Sequence, residues 1–229
     1  MNILKLLIQT YAVSLLAVLP ISFLNASQLN KSNLLEFSLD VGNSTSDFYF
    51  PSNTYNTKTE ILGINWYEPF TPYFHGGLEL GYINLTQLDN NLASAQFTSG
   101  EYVGLLLRFI PISFDLFTLN LNANYRYHNT QGASTNQESR FVWNETLFST
   151  ELRFQPVSLL GLTAAAEYQF VDGSQRDSGT ITQITTFSSS NQLGYRLGLN
   201  ITNNRTGVIG FEWFSGSRSG TRIYFTRKF

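Results

Sequence analysis

The stretch FTLNLNANYRYH, from Phe117 to His128, alternates without a break between apolar or aromatic side chains and polar ones. The apolar positions are Phe117, Leu119, Leu121, Ala123, Tyr125 and Tyr127, and the polar positions are Thr118, Asn120, Asn122, Asn124, Arg126 and His128. Because a helix repeats its faces about every 3.6 residues, a period of two over this length predicts an extended strand. One face of that strand suits an apolar environment and the other suits polar groups.

The same period of two recurs along most of the chain, for example at Leu197, Leu199 and Ile201 and again through residues 160–170. We predict ten strands, at about residues 33–42, 58–67, 73–83, 100–110, 116–128, 141–154, 160–171, 191–202, 207–216 and 220–229. Ten residues at about 3.3 Å each, tilted near 45°, rise about 23 Å, close to the ~25 Å apolar band of a membrane barrel. The sequence therefore predicts an all-β fold, a closed antiparallel up-and-down transmembrane β-barrel of ten strands, with eight as the alternative.

The first residues, MNILKLLIQTYAVSLLAVLPISFLNAS, combine one lysine, Lys5, with a mostly apolar stretch and end in small residues at Ala26 and Ser27. This pattern predicts a secretory signal peptide over residues 1–26, cleaved after Ala26 or Ser27, with an uncleaved membrane anchor as the alternative. We therefore expect residues 27–229 to form a single barrel domain.

Composition restricts the classes of function. The chain has no cysteine, which excludes disulfides and thiolate sites. Its 14 basic and 16 acidic residues form no basic tract that would suit nucleic acid. Aromatic residues make up 15% of the chain and charged residues 13%, whereas about a quarter of a typical soluble domain is charged. We expect neither a nucleic-acid partner nor a cofactor.

If the apolar faces point outward, acidic and basic side chains point inward in equal number. The inward charges are Glu36, Glu79, Glu151, Glu167 and Glu212 with Arg108, Arg126, Arg153, Arg196 and Arg222. A barrel of about eight to ten strands has an interior only wide enough for side chains, so we expect these residues to form a paired charge network that fills the lumen. A soluble barrel or sandwich, with the same residues on a solvated face, is the alternative.

The last strand, TRIYFTRKF, ends on Phe229 and carries Phe225 and Ile223 on the same face. In this the chain resembles the small Gram-negative outer-membrane β-barrel proteins, whose closing strand carries a terminal Phe preceded by apolar or aromatic residues at alternate positions. Arg227 departs from that pattern. The resemblance implies an integral protein of the bacterial outer membrane, recognised through this signal by the outer-membrane assembly machinery and periplasmic chaperones. It also implies contact with outer-membrane lipid and lipopolysaccharide, and a monomeric state.

The predicted connections alternate between short and long. EPFTP, PISFD, QPVSL and NNRT are short turn sequences, whereas the segments between them are mostly long and rich in Ser, Thr, Asn and Gln. Outer-membrane barrels place short turns in the periplasm and long loops outside, so we expect both termini to be periplasmic.

For function, we expect a non-enzymatic protein, either structural or a narrow gated channel for small solutes. A surface adhesin is the alternative. It would act through its loops, because Phe48, Tyr49, Phe50 and Tyr55 lie together in the first predicted loop among polar residues that suit adaptable recognition.

Two enzymatic alternatives depend on residues predicted near the outer rim. His128 with Thr130, and Glu138 and Glu145 after the loop, resembles the His, Ser and Glu arrangement of outer-membrane lipid A deacylases, with Thr in place of Ser.

The second alternative is an omptin-like protease. Asp40, Asp172 and Asp177 fall where the omptins place catalytic aspartates, but the chain has no Asp-x-His or Asp-x-Asp couple.

Overall fold

The computed structural model describes residues 34–87, 90, 96–134, 137–179, 182–203 and 207–229. The predicted signal peptide, residues 1–26, lies outside this part of the chain. The described residues form eleven antiparallel strands. These are β1 (Glu36–Tyr49), β2 (Thr54–Pro69), β3 (Phe74–Thr86), β4 (Phe97–Ser113), β5 (Phe117–Ser134), β6 (Gln137–Val157), β7 (Leu160–Gly179), β8 (Gln183–Ser189), β9 (Leu193–Asn203), β10 (Gly207–Ser215) and β11 (Ser219–Lys228).

Ten of these strands close into a ring. The order is β1-β2-β3-β4-β5-β6-β7-β9-β10-β11, and β11 pairs back to β1 with Leu39 opposite Phe225. Each strand neighbours the next in chain order except that β7 pairs with β9. The predicted all-β, closed, antiparallel up-and-down barrel of ten strands is therefore confirmed, and its ring leaves no free edge over this height.

The eleventh strand, β8, is an addition that the sequence pattern did not predict. It pairs with Asp172–Asp177 of β7, beyond the point where β9 begins, and with Phe48 and Tyr49 of β1. At this height β8 joins β7 to β1 in place of β9, β10 and β11.

Several strands are longer than predicted. In particular, the prediction of a loop over residues 43–57 was wrong. β1 and β2 continue their pairing through it, from Asn43 opposite Glu60 to Tyr49 opposite Thr54. The Ser, Thr and Asn content of the segment is typical of a loop. Its Thr, Tyr and Phe residues, however, favour strands, and cross-strand pairs override composition.

The ring has two different ends. One, here named the turn end, holds Leu34, Phe229 and the connections 70–73, 114–116 and 158–159. The other, named the extension, comprises about residues 43–60, 83–86, 97–102, 128–134, 137–146, 171–179 and 183–189. No helix in the described part of the chain is long and apolar enough to cross a membrane.

A band of exposed apolar side chains, here named the apolar band, surrounds the ring between the turn end and the extension. It includes Phe37, Leu39, Val41, Leu62, Ile64, Trp66, Leu78, Leu80, Leu105, Leu107, Phe148, Leu152, Leu162, Leu197, Leu199, Phe211, Ile223 and Phe225. The side chains between them along each strand point inward and are mostly polar. An apolar outside around a polar inside suits a surrounding of lipid and is the reverse of a soluble barrel.

In the extension this polarity switches. On β6, Phe148 and Leu152 point outward within the apolar band, whereas Trp143 and Phe141 point inward and are buried. The outward residues beside these two aromatics are Arg140 and Asn144, which are exposed, and Val142, which is half-exposed. Over this part of β6 the outside is mostly polar and the inside carries large apolar side chains, as in a structure surrounded by water.

Candidate functional site

The lumen inside the apolar band is filled with charged side chains. Its carboxylates are Glu36, Asp40, Glu79, Glu145, Glu151, Glu167 and Glu212, and its cations are Arg108, Arg126, Arg153, Arg196, Arg218, Arg222 and Lys228. All ten residues expected in the network from the sequence lie in this lumen. Sequence reasoning missed Asp40, Glu145, Arg218 and Lys228.

Arg196 of β9 is the centre of the largest group. Its Nη2 lies 2.8 Å from Glu151, its Nε 2.9 Å from Glu167 and its Nη1 2.5 Å from Glu212. The three carboxylates come from β6, β7 and β10, so one guanidinium joins strands on both sides of β9. Ionised donors and acceptors make the strongest hydrogen bonds, and Arg offers them in a planar fork.

Each of those carboxylates has a second cation. The distances are 2.5 Å from Arg153 to Glu151, 3.1 Å from Arg218 to Glu167 and 2.6 Å from Arg222 to Glu212. Arg222 also lies 3.4 Å from Asp40, which accepts hydrogen bonds from Ser38 and Asn65. Asp40 therefore belongs to the lumen, and its expected place near the outer rim was wrong because β1 continues for nine residues beyond it.

A second group lies at the extension side of the lumen. Arg126 donates hydrogen bonds of 2.6 and 3.1 Å to Glu79 and lies 3.5 Å from Glu145. Glu145 also lies 3.2 Å from Nε2 of His128 and accepts a hydrogen bond from Gln169.

A third group lies at the turn end. Glu36 is 3.3 Å from Arg108 and 3.5 Å from Lys228. The guanidinium of Arg108 also lies 4.1 Å above the ring of Tyr67, a cation–π contact. His75, which pairs with Arg108 across β3 and β4, is buried in the same region.

The lumen charges balance, with seven carboxylates and seven cations in the described residues. Burying a single unpaired ion costs several kcal/mol even after relaxation, so this balance is what makes the filling tolerable. It also removes any net charge that would draw cations or anions through the lumen.

A polar cavity of about 120 Å³ remains among these side chains. It is bounded by members of all three groups, including Glu36, Glu79, Arg196 and Arg222, and by Asn122 and Asn124. A polar space of this size holds a few water molecules.

The extension closes over this lumen with an aromatic cluster. Its buried members are Phe48, Phe50, Tyr55, Ile83, Leu85, Tyr102, Phe141, Trp143, Val171 and Phe187. Phe187 of β8 stacks on Phe48 and Phe50, with ring centres 4.9 and 5.1 Å apart. The cluster forms an apolar layer across the inside of the barrel wall.

This placement changes the expectation of a recognition loop made of four aromatic residues. Phe48, Phe50 and Tyr55 are 3%, 1% and 6% exposed, whereas Tyr49 is 52% exposed. Because successive residues of a strand face opposite sides, only Tyr49 of the four points to the outside. Phe48, Phe50 and Tyr55 pack in the interior and are not available to a partner.

His128 also lies inside the barrel. Its ring stacks between Trp143 at 4.4 Å and Tyr102 at 5.4 Å. The hydroxyl of Thr130 pairs with Thr98 at 2.8 Å, and Glu138, which accepts from Gln131, points outward. The structure therefore brings Glu145, but neither Thr130 nor Glu138, to His128.

The remaining aspartates are separated as well. Asp177 is fully buried in the extension and accepts hydrogen bonds from Ser139 and Gln175, whereas Asp172 is exposed on the outside. Within the described ranges, no three His, Cys, Asp or Glu side chains are grouped so that they could hold a metal ion.

The closing strand presents its terminal aromatic residue outward. Phe229, Phe225 and Ile223 are exposed at the apolar band, and the ring of Phe229 makes an edge contact with Phe37 at 6.1 Å. Arg227 lies beside this ring, with its guanidinium carbon 5.5 Å from the ring centre.

The ring of strands, the apolar band and the charged lumen define an outer-membrane β-barrel, the class that the sequence resemblance predicted. The structure is similar to the outer membrane protease OmpT from Escherichia coli, with a TM-score of 0.53 and 8% identity over 91% of this chain and 99% of that one. It is also similar to the translocator domain of the autotransporter NalP from Neisseria meningitidis, with a TM-score of 0.51 and 9% identity over 96% and 95% of the two chains. At these identities the likeness shows the fold alone.

No family model and no curated protein sequence matches the chain.

Proposed function

We propose that this protein is a closed, non-enzymatic barrel of the bacterial outer membrane, with a structural role in the membrane. The observation that carries the proposal is that the lumen is blocked at two successive levels. The charge network fills it within the apolar band, and the aromatic cluster covers it in the extension.

The first level is built to stay in place. Arg196 alone is tied to three strands besides its own, and any movement that opens the lumen there separates buried ion pairs, which is costly. The second level is apolar and packed by stacked rings, which excludes hydrated ions. A closed lumen supports the structural role over the narrow channel.

The non-enzymatic part of the proposal rests on the surroundings of His128. Its Nε2 is engaged by Glu145 and both faces of its ring are covered by Trp143 and Tyr102. A general base needs to reach its substrate within hydrogen-bond distance. A lipid on the outside of the wall lies on the other side of the sheet from this imidazole.

For orientation, we propose that the turn end and both termini face the periplasm and the extension projects from the cell surface. The short connections at the turn end and the polar outer wall of the extension support this arrangement. The apolar band then contacts outer-membrane lipid, lipopolysaccharide surrounds the extension, and Phe229 is placed to be read by the assembly machinery and periplasmic chaperones. The protein acts as a monomer.

The experiment is single-channel recording of the refolded protein in planar bilayers. We expect no conductance above the bilayer baseline, with a general porin reconstituted in parallel to show that the recording detects open barrels. Discrete conductance steps, in a number that rises with the folded fraction of the protein, would instead establish the channel.

Surface recognition is the second candidate, favoured by exposed apolar side chains on the outer wall of the extension. Tyr49, Phe97 and Ile184 are each more than half exposed there, where the surroundings are aqueous. The test is adherence of bacteria expressing the protein to host cells. Replacing Tyr49 and Phe97 by Ser should abolish the adherence that the protein confers, and unchanged adherence would remove this candidate.

A further inference from the structure

Two arginines lie directly opposite each other on the outer wall of the extension. Arg140 of β6 pairs with Arg176 of β7, and both side chains are exposed on the outward face. Side chains of residues so paired in an antiparallel sheet are neighbours, and like charges in that position repel. On either side, the same cross-strand row continues with Gln131 of β5 and Ile184 of β8.

The described residues offer neither arginine a carboxylate partner within ion-pair distance, in contrast to the arginines of the charge network. Arg140 donates from Nε to the side-chain oxygen of Asn129 at 2.9 Å. This hydrogen bond uses Nε of the guanidinium. The two terminal nitrogens, Nη1 and Nη2, which can bind an oxyanion as a fork, face the solvent.

Three acidic groups lie near the pair on this face, Glu138, Glu101 and Asp172, and Glu101 is opposite Asn129, the hydrogen-bond partner of Arg140. Glu138 lies two residues from Arg140 on the same strand and accepts a hydrogen bond from Gln131 at 2.6 Å. Asp172 lies four residues from Arg176 on β7, about 13 Å along an extended strand. Glu138 therefore reduces the positive potential of this site without occupying it.

The other described cation of the outer wall of the extension is already paired. Lys58 lies 2.6 Å from Glu60, and the pKa of Glu60 is lowered by the hydrogen bond and the charge of Lys58. Lys58 therefore provides a matched control of equal charge on the same wall.

We propose that Arg140 and Arg176 together bind a phosphate monoester. A dianionic group between them would replace their mutual repulsion by two charge-assisted interactions, and the guanidinium fork matches phosphate oxygens. The uncharged side chains around the pair, such as Ser174 and Ser178 on the outward face of β7, are compatible with a hydroxylated ligand.

The height of the pair above the apolar band indicates the source of this phosphate. Arg176 lies six residues beyond Phe170, the last outward aromatic residue of β7, or roughly 14 Å for a strand tilted near 45°. That is beyond hydrocarbon and at the level of glycolipid sugars, given the proposed orientation. Ile184, 68% exposed beside Arg176, offers an apolar surface for a sugar ring. The phosphorylated saccharide of a surrounding glycolipid is therefore favoured over free phosphate.

The experiment measures binding and is independent of conductance, so its outcome does not depend on whether the lumen is closed. The refolded full-length protein in a zwitterionic detergent is titrated with inorganic phosphate by ³¹P NMR line broadening. We expect saturable binding, weakened about tenfold by Arg140→Gln and by Arg176→Gln, which corresponds to one charge-assisted hydrogen bond. Lys58→Gln should leave the affinity unchanged and Glu138→Gln should raise it.

A second arm identifies the source. Nanodiscs containing phosphorylated glycolipid should compete with free phosphate for the parent protein, whereas nanodiscs containing the dephosphorylated glycolipid should not. Absence of competition by both would assign free phosphate as the ligand of the same site, and equal competition by both would overturn recognition through the phosphate of the glycolipid. Absence of saturable phosphate binding by the heat-modifiable, folded parent, or equal affinities for the parent and both arginine variants, would overturn the proposal.

Discussion

Arg126 of β5 binds Glu79 of β3 through two hydrogen bonds, although β4 lies between their strands. The residue of β4 in the same cross-strand row is Gly104, which is opposite Glu79 on one side and Arg126 on the other. A Cβ at Gly104 would lie 3.1 Å from Cγ of Arg126 and 2.8 Å from the carbonyl oxygen of Tyr125. The missing side chain therefore creates the gap across which the two charges meet.

We predict that Arg126→Ala lowers the free energy of unfolding by about 3 kcal/mol or more, because it leaves Glu79 buried without its cation. The measurement is urea unfolding from lipid vesicles. Leu121→Val, a small change on the outward face of the same strand, should cost about 1 kcal/mol or less. Similar small losses for both variants would show that Arg126 is solvated.

Filling the gap should also destabilise the barrel. Gly104→Val is expected to cost about 1–3 kcal/mol, because its methyl groups displace Arg126 from Glu79. Gly161→Ala is the matched control, since a Cβ there meets its nearest atom, Cβ of Asn200, only at 3.6 Å. Equal stability of Gly104→Val and the parent protein would contradict the role given to this glycine.

Which face of the barrel wall contacts lipid can be tested by placing an arginine on either face in two separate variants. Leu199→Arg places a cation in the apolar band and should cost about 2–4 kcal/mol near the bilayer midplane. Asn122→Arg places the same side chain beside the polar cavity, whose water and neighbouring carboxylates can solvate the added cation, so the penalty should be smaller. If the Asn122 variant proves the less stable one, the apolar band does not face lipid.

The aromatic cluster should contribute strongly to stability although it lies outside the apolar band. Phe141 is fully buried, so Phe141→Ala is expected to cost about 3–5 kcal/mol. Val142→Ala, on the half-exposed outward face next to it, should cost much less. A loss below about 1 kcal/mol for Phe141→Ala would mean that the extension is not packed as described.

Deleting Phe229 should reduce the amount of protein assembled in the outer membrane, because its proposed role is recognition during insertion. The measurement is the amount of the protein in the outer-membrane fraction that migrates on gels as the folded form unless the sample is boiled. Refolding of the purified deletion variant in vesicles serves as the control and should change less. Equal outer-membrane levels for the deletion variant and the parent would show that the terminal residue is not read as a signal.

The ring could be predicted from the sequence because the alternation is local. Each strand, such as 117–128, carries both of its faces in its own residues, so the ten strands and their inward charges follow without knowledge of their neighbours. The partner of each charge could not be predicted. Contact between Arg126 and Glu79 depends on the relative register of three strands, which the alternation of one strand does not contain.

The extension was missed for a different reason, although its signal is present. On β6 the apolar residues occupy even positions at Phe148 and Leu152 but odd positions at Phe141 and Trp143. This shift of the apolar residues from even to odd positions indicates that the strand continues, but that its inner face becomes the apolar one. Composition rich in Ser, Thr and Asn led instead to the prediction of loops, and Asp40 was consequently placed near a rim.

The change from apolar to charged side chains on the outer face also fixes the depth at which the barrel sits. On β2 the apolar band ends at Leu62, and the next two outward residues are Glu60 and Lys58. Sinking the barrel by one pair of residues, about 5 Å, would carry these charges toward hydrocarbon, whereas raising it would expose rings at the turn end to water. The protein therefore has a single vertical position, and a bilayer of different thickness has to adapt to it.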